Sequence, residues 1–377
     1  MTPHLRRFVE ITGRKSLESR FRSLEQQVKD NPFLEELFAS RYQLEQELER
    51  QYRRYLLGKK VNFPNTDQEV TFLRFVVMVS RVYRRLSATG RNRIAGMLRS
   101  GLDAEYGQAS IEFELFIATH LMKKGYDVEF SDIETGGGFD MLATRDGIEI
   151  EVECKTVSGD LGRKIHLRRL YQLGGFLNPL MASALDRGPG GQLVRVILSK
   201  RLQGSDQQLQ FIYERLARVL QDGISEPGPE PCSMEYHTFS LAESPFITME
   251  PGVLLREDAR DYVEKEVGFP IKHTVMLFTP NHGAVVVAVE SQQPDKTMRV
   301  LVRELKKSAK KQFTGTRPSV MCVRFSDLTE AQLVEIGESD MAGQPSALQI
   351  ATSELFNRDD WCQVHTIAYF APAHSTS

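Results

Sequence analysis

The dipeptide Asp146-Gly147 constrains this chain more than any other feature. Both residues tolerate the positive φ that a two-residue type I′ turn requires, and alternating segments flank them. Phe139-Asp-Met-Leu-Ala-Thr-Arg145 stands before the turn and Ile148-Glu-Ile-Glu-Val-Glu-Cys-Lys155 after it. A two-residue loop sets Arg145 opposite Ile148. The antiparallel register then runs back one residue at a time until Asp140 faces Glu153. Alternation puts Ile148, Ile150, Val152 and Cys154 on one face and Glu149, Glu151, Glu153 and Lys155 on the other. Directly opposed side chains have Cβ atoms about 4.5–5.5 Å apart, so two carboxylates are pressed together with an ammonium beside them. Two readings are open. The charged face is an ordinary wet face of an amphipathic strand, or a hard divalent cation turns the repulsion into coordination.

The preceding helix bears on that choice. Ile111, Glu114, Ala118 and Leu121 fall on one face of a helix that runs from about 104 to Gly125, a natural C′ residue. Glu114 thus sits in an apolar stripe, where an unpartnered carboxylate is expensive. Either it is a partly exposed helix-end glutamate, or it shares a site with the strand acids.

In this order the residues resemble the PD-(D/E)XK nuclease superfamily, the restriction-endonuclease-like fold. A helical Glu (Glu114 in Phe113-Glu114), a strand Asp after a turn (Asp140 in Gly136-Gly-Gly-Phe-Asp140) and Glu153-Cys154-Lys155 match its pattern. The stretch from Phe113 to Val128 is similar to the first helix and strand of the Holliday-junction-resolvase-like and Mrr-like branches. Phe139 stands where the family name has proline. The resemblance covers roughly residues 104–200 and implies an αβββαβ core. It further implies that Asp140, Glu153 and the Cys154 carbonyl hold Mg²⁺ or Mn²⁺, with Glu114 binding directly or through water and Lys155 positioning the attacking water. The function implied is phosphodiester hydrolysis in restriction, anti-phage defence or repair. The preference for DNA over RNA rests on the resemblance alone. The alternative is a catalytically inactive protein that uses the fold for nucleic-acid binding or assembly.

Downstream, Arg163, Lys164, His166, Arg168 and Arg169 follow the second strand. They read either as a solvated helix start or as cations for phosphates flanking the site. Gln172 stands where some members of the superfamily place an assisting Gln. Lys306, Lys307, Lys310 and Lys311, with Arg303, read as a solvated helix face or as an extension of that track.

The rest of the chain reads as α/β in three regions. Residues 1–103 are helical throughout, with apolar spacing over Leu17–Val28, an Asn31-Pro32 start to a helix ending at Gly58, and a Thr66/Glu69 capping box opening a third helix that stops near Gly90. The arginines of this block form a solvated face, or a phosphate-contacting or dimerising arm. Residues 104–225 carry the nuclease-like core, with a helix over 162–186 and a strand at 192–200 completing it. Residues 226–377, after the Pro-rich stretch 224–231, are mixed α/β with strands near 234–240, 273–279, 284–290 and 319–325 and a basic helix at 297–313. The hairpin-helix-strand order of 273–325 echoes that of 139–200.

Lys plus Arg total 48 against 50 Asp plus Glu, so nucleic-acid binding must rest on local patches rather than on overall charge. The cysteines Cys154, Cys232, Cys322 and Cys362 form no C-x-x-C pair and read as reduced thiols of a cytoplasmic protein. No segment reaches the ~20 apolar residues of a membrane span.

Overall fold

The computed structural model describes residues 3–59, 66–103, 107–185, 190–202, 205–228, 231–244, 252–253, 257–279, 283–326, 328–338, 343–356 and 364–372. Among the described residues seven helices precede the first strand: α1 (Pro3–Thr12), α2 (Arg14–Asp30), α3 (Leu34–Arg41), α4 (Gln43–Leu56), α5 (Asp67–Arg85), α6 (Ala88–Asp103) and α7 (Ala109–Lys123). Next come β1 (Asp127–Glu129), α8 (Ser131–Glu134), β2 (Met141–Arg145) and β3 (Ile148–Val157). The chain continues through α9 (Leu167–Leu185), β4 (Gly191–Leu198), α10 (Asp206–Asp222), β5 (Cys232–Phe239), β6 (Gly252–Val253), α11 (Glu257–Val267), β7 (Thr274–Thr279) and β8 (Gly283–Ser291). It closes with α12 (Thr297–Gln312), β9 (Ser319–Phe325), α13 (Glu330–Gly337), α14 (Ala347–Phe356) and β10 (Thr366–Phe370). Cys362 lies outside the described residues, as do residues 186–189 of the Gly-Pro-Gly-Gly loop.

The local signals act as expected at several ends. Thr66 Oγ1 accepts the Glu69 N–H at the start of α5, and Asn31 Oδ1 accepts the Phe33 N–H. The helix expected from Asn31 to Gly58 is divided at Tyr42, which takes a non-helical conformation at the N-cap of α4. The helix expected to stop near Gly90 ends at Arg85, and α6 restarts at Ala88.

The protein is α/β, with two five-stranded mixed sheets ordered β1-β2-β3-β9-β10 and β5-β4-β8-β7-β6. The chain divides into two compact units. The first comprises Met1–Leu24, Ala39–Leu161 and Thr297–Ser377, the second Glu25–Phe38 and Gly162–Lys296. One expectation needs correction here. The strand near 192–200 forms as β4, but it does not complete the sheet that carries the acidic hairpin. It pairs parallel to β8 and antiparallel to β5 in the second unit. The place beside β3 is taken by β9, in parallel register from Glu151↔Ser319 to Val157↔Phe325. The reason lies in connectivity. Residues 162–296 form an insertion whose ends are tied together by the Lys296 N–H to the Gly162 carbonyl and by the Lys164 N–H to Asp295 Oδ1. The helix and strand that follow β3 within the first unit are α12 and β9.

In the first unit the sheet is covered on both faces. Phe8, Phe72, Phe75 and Phe113 pack with Met141, Val152 and Cys154 on one side. Leu301 and Leu305 of α12 pack with Met321, Val323 and Phe325 on the other. Burial of side chains of this size contributes about 1.5–3 kcal/mol each, which fixes both helical layers against the strands. In the second unit Leu193, Met276 and Val286 of the sheet pack with Ala259 and Val263 of α11. Among the described residues no helix is long and apolar enough to cross a membrane.

Candidate metal centre

The turn at Asp146-Gly147 takes φ values of 53° and 78°, and Arg145 pairs with Ile148 as the turn chemistry requires. The ladder runs unbroken to Met141↔Val152, so Asp140 emerges at its end beside Glu153 and Cys154. Its carboxylate Oδ2 accepts the Cys154 N–H at 2.6 Å, and its carbonyl accepts the Ser131 N–H. Cys154 turns its thiol into the apolar cluster with Cys322.

The three glutamates of β3's charged face have different fates. Glu149 pairs with Arg317 at 2.6 Å. Glu151 is fully buried and accepts from the Thr314 N–H and hydroxyl, with Arg317 nearby. Glu149 thus fits the wet-face reading, whereas Glu151 is a buried carboxylate satisfied by protein partners. Glu153 is 0% exposed, and only its Oε1 is engaged, by Lys155 Nζ at 2.6 Å and Ser308 Oγ of α12 at 3.3 Å. Its Oε2 is buried without a hydrogen-bond partner among the described residues.

On α7 a similar contrast appears. Glu112 is buried but ion-paired to Arg324. Glu114, two residues on, is half-buried and forms no ion pair among the described residues. It comes together with Asp140 and with a third carboxylate, Asp132 of α8; each offers an oxygen, all within 4.8 Å of one another. Asp132 Oδ1 is also buried and unpartnered among the described residues.

Electrostatics agree with an uncompensated cluster. Burial, with Asp140, Asp132 and Glu153 adding repulsion, holds the Glu114 carboxyl well above the usual range. Burial and then Glu153 push Asp140 up to about 8, and burial moves Asp132 up to about 6. Glu153 is raised by burial against the opposing pull of Lys155. Burial acts to lower Lys155, but Glu153, Asp140 and Glu114 outweigh it, and the ammonium stays charged.

The structure therefore brings together Glu114, Asp140, Glu153 and Lys155, and adds Asp132. Asp132 was missed because the connection from β1 to β2 contains no tight turn from which to count. The pairing Glu129↔Leu142, once known, sets Ser131 beside Asp140 and so locates its neighbour. Arg163, Lys164, His166, Arg168 and Arg169 fall in the second unit and are not among the residues that gather at this cluster. There Lys164 Nζ donates to the Ser291 carbonyl, and Arg169 donates to Gln172, so that glutamine acts as a local acceptor.

A cleft of about 420 Å³ opens at Lys155, between β3 and α12. Lys307 and Lys311, one helical turn apart and exposed, line it together with Ser308 and the acid Glu304. No family model matches the chain, and neither curated proteins nor solved structures give a match.

Proposed function

We propose that the protein is a divalent-metal-dependent nuclease of the restriction-endonuclease-like kind, hydrolysing phosphodiester bonds, with DNA as the substrate class. One observation carries the reading: the carboxylates of Glu114, Asp132 and Asp140 offer oxygens within 4.8 Å of one another with the charge of Glu153 acting on them, and buried oxygens of Glu153 and Asp132 lack hydrogen-bond partners among the described residues. Carboxylates are not assembled this way for stability, because each like-charge neighbour and each unpaired buried oxygen costs folding free energy.

The donor set fits a hard cation. The ligand-capable side chains that gather here are carboxylates, while Cys154 belongs to the apolar cluster, so Mg²⁺ or Mn²⁺ suits the site better than a thiophilic metal. Asp140, Glu153, Glu114 and Asp132 would hold the ion, with the Cys154 carbonyl as a further donor. Bound there, it supplies the positive charge that a phosphoryl group requires during displacement. Lys155, held by Glu153, orients a water and offsets charge on the phosphate. Ser308 fixes Glu153 from the opposite layer. Lys307 and Lys311 contact the phosphates that flank the scissile one, the second of the two readings open to the basic helix in the sequence.

The test is cleavage of linear, circular and branched DNA, and of RNA, with Mg²⁺ or Mn²⁺, comparing wild type with Asp140→Ala. Metal-dependent cleavage lost in the variant is the expected result. Nucleic-acid binding without cleavage in any metal would instead establish an inactive binding protein.

A further inference from the structure

The helical part of the first unit holds a second site of opposite sign. Ser16, Ser19 and Ser23 of α2 recur at helical spacing on one face, beside Arg99 and Ser100 of α6. With Arg20 they line an open hollow of about 420 Å³. Arg20 forms its floor and is only 7% exposed. Its guanidinium lies 4.7 Å over the Tyr42 ring, yet Nε and Nη2 find no acceptor among the described residues. Arg99, exposed at the rim, spends one N–H on the Ile11 carbonyl.

A buried guanidinium with two idle donors is costly unless an anion completes it. The acid whose charge acts on Arg20, Glu45, makes no ion pair with it among the described residues. An oxygen of Glu45 accepts the Gln108 N–H at 2.7 Å, and burial keeps this carboxyl up near 7, so it is a weak counter-charge. The remaining lining is serine hydroxyl, with Leu102 and Asp103 completing it. Two guanidinium groups and the hydroxyls of Ser16, Ser19 and Ser100 match an anion with three or more acceptor oxygens better than a carboxylate with two. The volume lies within the small-molecule range and leaves room beyond a bare ion. Asp103 at the rim is an acceptor for a neutral hydroxyl of the ligand.

We propose that this hollow binds the phosphate group of a small phosphorylated metabolite, with Arg20 and Arg99 as the charged donors and the serine hydroxyls completing the cradle. The site is independent of the nuclease reading and stands or falls separately from it.

Thermal shift and calorimetric titration of the full chain, with inorganic phosphate, ribose 5-phosphate and an oligonucleotide without terminal phosphate, test the assignment. The expected result is stabilisation by phosphate and by ribose 5-phosphate at millimolar concentration, with no effect of the oligonucleotide at this site. Arg99→Glu, an exposed change that leaves the fold intact, abolishes it. Arg20→Lys, checked for native melting, weakens it by roughly tenfold, because a point charge replaces a planar fork. Asp140→Ala leaves it unchanged. Absence of binding by both phosphates, or binding unaffected by Arg99→Glu, overturns the proposal. Binding of the oligonucleotide alone, lost in Arg99→Glu, overturns the small-molecule assignment in favour of a backbone phosphate.

Discussion

The Asp140 carboxylate accepts the backbone N–H of Cys154 at 2.6 Å, so the second strand of the hairpin grips an acid that precedes the first. That bond orients the carboxylate beside Glu153 and Glu114. Asp140→Asn keeps an acceptor oxygen for Cys154 and cannot ionise, so it removes the charge that Asp140 takes on as pH rises toward and past about 8. The expected outcome is a variant that melts higher than wild type without metal but binds Mn²⁺ at least ~10-fold more weakly. Undiminished Mn²⁺ affinity would exclude Asp140 as a ligand.

The pH dependence follows from the same cluster. Asp140 and Asp132 have raised values, about 8 and about 6, whereas an unfolded aspartate titrates near ~4. Between those limits the folded chain holds more protons than the unfolded one, so metal-free stability falls as pH rises from about 4 to about 8. A divalent ion competes for those same oxygens and releases the protons, so its affinity rises over this window. Melting curves across pH, with and without Mn²⁺, should diverge steadily toward the alkaline side. Parallel curves would contradict a metal at these groups.

Asp132 offers a sharper discrimination, since no motif pointed to it. Asp132→Asn is expected to weaken Mn²⁺ binding by roughly 10–100-fold, while Asp127→Asn on the exposed edge of β1 leaves it unchanged. Equal titration curves for the two variants would reduce Asp132 to a bystander.

The lysines of α12 predict a salt signature. Each phosphate contact removed lowers the slope of log K against log salt by about 0.7–0.9. Lys307→Ala and Lys311→Ala should each do so without altering Mn²⁺ affinity, and Arg169→Ala should not. The reverse pattern would return the phosphate contacts to the cations near residue 169.

Gly138 tests how the acidic loop is seated. A Cβ there would stand 2.5 Å from the Gln312 carbonyl oxygen at the end of α12, a backbone atom that cannot swing away. Gly138→Ala is expected to destabilise the protein by about 1–3 kcal/mol and to weaken Mn²⁺ binding through its neighbour Asp140. Chemical denaturation and metal titration of the variant measure both effects. A stability within a few tenths of wild type would show that the loop is not held there.

Much of the site could be read from a single turn. Asp146-Gly147 fixed the register, the register paired Asp140 with Glu153, and alternation set Lys155 on the same face and Cys154 on the other. Glu114 was legible because a carboxylate in an apolar stripe needs a reason. Local patterns also located β9 and α12 to within a residue. Sheet membership was not legible. β4 and β9 are both short apolar strands after amphipathic helices, and nothing local in either tells which edge it will join. The choice is made by long-range pairing, where Glu151 meets Ser319 across an entire inserted unit. Glu149 and Glu151 are set apart from Glu153 by Arg317 and Thr314, which reach β3 from that same distant segment.

Vectorial synthesis gives the interrupted sheet a temporal meaning. The hairpin bearing the acids leaves the ribosome with its β3 edge unpaired, while β9 is still more than a hundred residues from being made. At ~5–20 residues per second, seconds pass in which the inserted segment can mature first. Ser308, Lys307 and Lys311 arrive only with α12, so the acidic hairpin lacks them until the whole inserted segment has been made.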